Sequence, residues 1–141
     1  MTQGDNNTDA MAGAFDGVRV IEMAQWVFVP VAGSVLADWG ADVIRIEHPS
    51  GGDPYRGLVS QGIITAKDGV NMSLELANRG KRGIAVDIRT QKGREIVYRL
   101  VEGADVFLTN FRPGALKRLG FGSDEMLARN PRLVYARGHG F

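Results

Sequence analysis

The chain has 141 residues and a mass of 15.3 kDa, room for one domain of ordinary size. A composition 44% hydrophobic and 23% charged excludes wholesale disorder, and the lack of cysteine removes disulfides, thiolate metal sites and cysteine nucleophiles. No apolar stretch is long enough to cross a bilayer and no charged-then-apolar leader opens the chain, so the expectation is a cytoplasmic protein without membrane contact.

A net charge of +1 argues against nucleic acid as a partner. The charges are nevertheless uneven. Between Arg79 and Arg99 stand seven bases against two acids, Asp87 and Glu95. A local basic patch on a balanced chain suits a small polyanion better than a duplex, and equally fits a solvated helix face.

Met1 to about Asp16 reads as a polar, non-periodic tail, with the domain running over 17–141. Val18–Glu22 has strand character, rich in β-branched residues. Pro30 suits a first helical turn, Val31–Trp39 follows with helical spacing, and Gly40 is placed to end the helix. Asp42–Glu47 reads as the second strand. His48–Asn71 holds five glycines and two prolines and reads as a long, mobile loop, too long to be idle in a compact domain. Arg82–Ile88 alternates as a third strand, and Thr90 caps a helix through Val101. Asp105–Thr109 is the fourth strand. A short helix spans Gly114–Leu119, Ser123 caps another through Arg129, and Leu133–Ala136 is the fifth strand.

This alternation implies an α/β fold, a Rossmann-like, mainly parallel sheet with helices on both faces. Such sheets bind ligands beyond the carboxyl ends of their strands. That rule places His48, Arg89, Asn110–Arg112 and Arg137–His139 on one rim.

Familiar motifs are missing. The turn from Met23 to Pro30 holds no glycine, which excludes a dinucleotide fingerprint. Gly80-Lys81 is followed by Arg82, so there is no Walker A loop. Two histidines, His48 and His139, make no zinc site, and no G-x-S-x-G elbow exists.

Three stretches together carry a resemblance. The first is Phe15–Glu22 leading into Leu36–Glu47, the second Asn78–Ile88. The third is Asp105–Gly114, continuing through Leu116, Arg118 and Gly120 to Asn130–Tyr135. In this order they resemble the class III CoA-transferases, a family that includes formyl-CoA transferase, carnitine CoA-transferases and α-methylacyl-CoA racemases. The resemblance covers Phe15 to Phe141.

It implies coenzyme A or an acyl-CoA as substrate, a carboxylic acid as acceptor, no tightly bound cofactor and no metal. Coenzyme A needs cations and N–H groups for its diphosphate and 3′-phosphate. By resemblance Val86, Asp87, Ile88 and Arg89 contact the adenosine side, Asn110, Phe111, Arg112 and Arg118 hold the ring and phosphates, and His48 takes the place of a phosphate-binding residue. Lys81 is a further candidate. His48 stands where many members have arginine, a cation only when protonated and without a bidentate fork. Phe28-Val29 replaces small residues before Pro30, and His139 sits where serine is common.

Members of the family are considerably longer, with a second domain and an interlocked homodimer. Their catalytic aspartate, which forms an aspartyl-CoA thioester, falls beyond Phe141, as does the racemase His/Asp pair. Glu22, Asp38, Glu47 and Asp87 match no catalytic position. The expectation is the N-terminal, CoA-binding part of a transferase, inactive by itself. A racemase fragment, or a self-standing CoA-binding module paired with a separate catalytic chain, is the alternative.

Overall fold

A computed structural model describes residues 13–140 of the chain. Its strands are β1 (Arg19–Met23), β2 (Asp42–Glu47), β3 (Arg82–Ala85), β4 (Val106–Thr109) and β5 (Val134–Arg137). They form one sheet in the order β3-β2-β1-β4-β5, and every neighbouring pair is parallel. The chain moves outward from β1 through β2 to β3, then returns to lay β4 on the other side of β1. The crevice between the carboxyl ends of β1 and β4 is therefore the topological switch point.

Parallel strands require crossovers, and these bury both sheet faces. The helices are α1 (Phe28–Asp38), α2 (Gly57–Ser60), α3 (Met72–Asn78), α4 (Gln91–Glu102), α5 (Pro113–Leu119) and α6 (Ser123–Arg129). Alternation along β1 sends Ile21 and Met23 to one face, where Val97 and Val101 of α4, Leu116 of α5 and Met126 of α6 pack with Phe107. Val20 and Val43 point to the other face, against Val29 and Leu36 of α1.

Several boundaries differ from the sequence expectation. The third strand stops at Ala85, because the Val86 N–H makes the last ladder bond, to the Glu47 carbonyl at 2.9 Å, before the chain turns away. α1 starts at Phe28, so Pro30 lies inside the first turn, where its missing N–H has no partner to lose. Gly40 follows the helix in the left-handed region, at φ +102. Ser123 is the first residue of α6 and caps nothing; Asp124 and Glu125 supply the favourable charge there.

The segment after β2 is more structured than a mobile loop. It contains a 3₁₀ turn at Pro54–Arg56, the short α2, and, just beyond it, α3, which was absent from the sequence reading. Asn71 caps α3 by accepting from the Leu74 N–H at 3.1 Å, and Leu74 and Ala77 are buried. Two buried positions in seven residues give too weak a period to stand out. Residues 1–12 of the expected tail lie outside the described residues. Of its last four, Phe15 is held to the domain: its ring stacks on Trp39 at 5.7 Å, and its N–H donates to the Trp39 carbonyl.

Beneath the sheet's carboxyl rim lies a buried charge network. The parallel register sets Glu22 of β1 opposite Arg45 of β2. Arg45, only 2% exposed, faces Glu22, Glu47 and Asp53, and also donates to the Asn78 amide oxygen. Lys81 donates to Glu22 Oε2 and to the Pro30 carbonyl, each at 2.6 Å. Arg56 holds Glu47 with two bonds of 2.8 Å. Three cations thus balance three carboxylates, which is the condition for burying any of them. α1 backs directly onto this network, since a Cβ on Gly33 would lie 1.9 Å from Glu22 Oε2.

Two outcomes are expected. Helix propensity alone favours Gly93→Ala in α4 by about 1 kcal/mol. The added Cβ, however, would meet the Asp87 carbonyl oxygen at 2.0 Å, so the variant should instead lose about 1–3 kcal/mol in urea unfolding. Burial pushes the Glu22 carboxyl up to about 7, against the pull of Lys81 and Arg45. Over that range the folded chain keeps a proton that the unfolded chain has released. Stability should therefore fall as pH rises from about 4.5 to about 7, and Glu22→Gln should flatten that fall. An unchanged slope in Glu22→Gln would assign it to another group.

Candidate functional site

A cavity of about 310 Å³ opens at the carboxyl ends of the strands. Its apolar wall is Met23 from β1, Ile46 from β2, Val86 and Ile88 from the turn after β3, Phe111 after β4, and Leu119 from α5. Gln25, His48 and Arg89 supply the polar rim, and Gly52 and Asp53 complete it from the loop after β2. The site follows from the topology, because four parallel strands release their chains on the same side.

The rim is braced by ion pairs. Arg89, exposed at the surface, grips Asp87 with two bonds of 2.9 Å, and its Nη2 lies 2.7 Å from His48 Nε2. Asp87 Oδ2 is 3.6 Å from the same imidazole nitrogen, and Ser50 N–H donates to His48 Nδ1 at 3.1 Å. Arg89, through its side chain and its own N–H, holds the Asp87 carboxyl far below the usual carboxylate range. Arg56 does the same for Glu47 more mildly. The imidazole, carboxylate and guanidinium form one cluster at the mouth of the cavity.

The turn between β1 and α1 is fixed from two sides. Asn110 accepts from the Gln25 N–H at 2.9 Å and donates to the Gln25 carbonyl at 2.7 Å. Both oxygens of Asp53 accept from the Trp26 N–H, at 3.0 and 3.2 Å, and Trp26 sits in the left-handed region at φ +67. Between this turn and Asn110–Arg112 runs a second groove of about 340 Å³, which shares Gln25 and Phe111 with the first cavity.

The structure brings His48, Val86, Ile88, Arg89 and Phe111 together in one cavity, with Asp87 bracing its edge. Asn110 and Arg112 line the adjoining groove. Arg118 lies on the exposed side of α5, its guanidinium 3.6 Å from where a Cβ on Gly114 would sit, and lines neither space. Among the described residues, neither Arg112 nor Arg118 has a side-chain hydrogen bond or ion pair. Lys81 is buried on Glu22 and reaches no surface anion. Arg137 lines a separate groove with α5 and α6. No cluster of three or more metal-ligating side chains occurs, and no helix is long and apolar enough to cross a membrane, among the described residues.

Sequence reasoning missed Gln25, Gly52 and Asp53. The run Gly52-Asp53-Pro54 carried a usable signal, since aspartate before proline favours the capped turn that forms here: Asp53 Oδ1 accepts from the Tyr55 N–H at 2.8 Å.

Comparison with known proteins is direct. The family model for CoA-transferase family III matches residues 15–141. A probable fatty acyl-CoA transferase of Mycobacterium tuberculosis is 40% identical over 130 residues, covering 92% of this chain and 32% of that protein. A succinate–glutarate CoA-transferase of Agrobacterium fabrum is 41% identical over 128 residues, covering 89% of this chain and 32% of that protein. The crystal structure of a CaiB/BaiF family protein from Brucella suis superposes with a TM-score of 0.80 at 38% identity, covering 92% of this chain and 34% of that one. The chain thus spans about a third of the length of the relatives it matches. With the sheet order, the rim cavity and the match over 15–141 in agreement, the chain belongs to CoA-transferase family III.

Proposed function

We propose that this chain is the CoA-binding part of an acyl-CoA:carboxylate CoA-transferase. The observation that carries the reading is the apolar cavity rimmed by Arg89 and His48, with two uncommitted guanidiniums, Arg112 and Arg118, on the loop and helix that follow β4. A purine ring fits an apolar wall with a few polar groups at its edge. Arg89, His48 and the backbone of Val86–Ile88 face the nucleotide; Arg112 and Arg118 take the phosphates, for which a guanidinium fork is the suited donor. Asn110 acts by shaping the Gln25 turn.

In this reading coenzyme A is a substrate and no cofactor is tightly bound. Acyl transfer to a carboxylic acid acceptor proceeds through an aspartyl-CoA thioester on a residue in the two thirds of the relatives that this chain does not cover. The relatives named above are transferases, which favours transfer over racemisation. The working form is a cytoplasmic homodimer. An open β5 edge, with Val134 60% exposed, supports association.

Calorimetry with free coenzyme A tests the site. Arg118→Ala should weaken binding by about 1.5–3 kcal/mol, roughly ten- to a hundredfold in Kd. Unchanged affinity in that variant would remove the phosphate assignment. Light scattering tests the association: a dimer is expected, and a monodisperse monomer at high concentration would count against it.

A further inference from the structure

The imidazole of His48 stands between two donors. The Ser50 N–H points at Nδ1 from 3.1 Å, and Arg89 Nη2, which can only donate, is 2.7 Å from Nε2. A neutral imidazole carries one N–H and one lone pair, so it accepts from one neighbour and sets its own N–H against the other. Neither tautomer satisfies both contacts. The acceptor nearest Nε2 is Asp87 Oδ2 at 3.6 Å, an oxygen that Arg89 Nη2 already holds at 2.9 Å.

The other charges around the ring are committed elsewhere. Glu47, Asp53 and Arg56 share the two spaces that His48 lines. Glu47 is held by Arg56 and Arg45, and Asp53 by Arg45. Asp87 and Arg89 are therefore the charges that act on the ring directly. Asp87 is the hub, since its Oδ1 accepts from both the Arg89 N–H at 3.0 Å and Nε at 2.9 Å, while Oδ2 faces Nη2 and the imidazole. Arg89 and Asp87 cancel, so with a neutral ring the cluster offers an anion no net charge. With a protonated ring it offers one positive charge and two donors on the same side of the cavity mouth.

We propose that Asp87 is a positioning residue, holding Arg89 and His48 side by side, and that a phosphate of the ligand binds there with uptake of a proton by His48. The inference rests on the CoA reading above and adds how that site responds to pH. The proton comes from solvent. It gives the ring a second N–H, and a phosphate oxygen accepts from Nε2 and from the guanidinium where the two donors otherwise oppose each other. The Ser50 contact is the one lost, and Ser50 lies in an exposed turn that can yield.

Calorimetry with coenzyme A in buffers of different ionisation enthalpy counts the protons taken up. The unaltered chain should take up about 0.5–1 proton per coenzyme A near neutral pH, and bind about three- to tenfold tighter at about pH 6 than at about pH 8. The phosphate's own protonation towards pH 6 works against this trend and cannot produce it. His48→Gln should bind with neither the uptake nor the tightening. His48→Arg, a permanent cation, should bind at about pH 8 as tightly as the unaltered chain does at about pH 6, again without uptake. Asp87→Asn keeps Oδ1 and the backbone but removes the charge, so His48 must gain its proton beside Arg89 with no carboxylate between them. Its uptake should fall by at least half. Glu22, whose carboxyl is pushed up to about 7, and His139, the other imidazole, are retained in every variant, so what the His48 variants lose belongs to His48.

Coenzyme A binding to the unaltered chain without proton uptake would overturn this inference and leave the CoA site standing. Uptake that persists in His48→Gln, or that adenosine elicits as fully as coenzyme A, would overturn it too, by assigning the proton to another group or to the nucleoside. Full uptake in Asp87→Asn would remove the positioning role. Failure of coenzyme A to bind at either pH would remove the CoA reading itself, and this inference with it.

Discussion

Arg45 is a guanidinium at the centre of a parallel sheet, 2% exposed, and most of what surrounds the site answers to that fact. An ion so placed is tolerated only with carboxylates in contact, and leaving one unpaired costs about 3–5 kcal/mol. Glu22 comes from the neighbouring strand by register, and Glu47 from the same strand two residues on. The third partner, Asp53, comes from the loop, which is therefore drawn down onto the sheet. Once there, Asp53 still has acceptor capacity, and the Trp26 N–H takes it. The charge under the sheet thus sets the shape of the turn above the switch point.

Internal ion pairing also takes up much of the basic run from Arg79 to Arg99. Arg79 is paired with Asp38, Lys81 with Glu22, Arg82 with Asp42 and Arg89 with Asp87. Four of its seven cations therefore serve internal pairing, three of them at positions where the chain crosses from α3 into β3. Among the described residues, Arg112 and Arg118, which lie outside the run, have no side-chain hydrogen bond or ion pair. Only Arg89 remains at a rim where it can both brace His48 and meet a ligand.

Division of labour in the molecule follows burial. Strand residues build walls: Met23 and Ile46 offer apolar surface to the cavity because alternation turns them to the α4 face. Chemistry-bearing residues sit just past the strand ends, where the backbone is released from the ladder and side chains gain freedom of direction. Gly93 shows how tightly the two are joined. Its missing Cβ lets α4 start close against the Asp87 carbonyl, and that contact sets the turn from which Arg89 reaches His48.

The α/β alternation, the five strands, the caps at Thr90 and Gly40 and the rim positions of His48, Arg89 and Phe111 were legible in the sequence, because each rests on local periodicity, turn chemistry or strand order. α3 was not legible, since seven residues with two buried positions hardly differ from a loop. The pairing of Glu22 with Arg45 and Lys81 was hidden for a different reason. Charged letters inside apolar strands can be read only when the register says which of them face each other. Asp53 lies 27 residues from Trp26, and Asn110 lies 85 from Gln25, separations at which sequence pattern carries no information about contact. The sequence by itself determined the architecture and the side of the sheet on which the cavity opens. Tertiary structure alone decided which cations are consumed in pairing and which remain for a ligand, because burial and register, not composition, set the cost of leaving a charge alone.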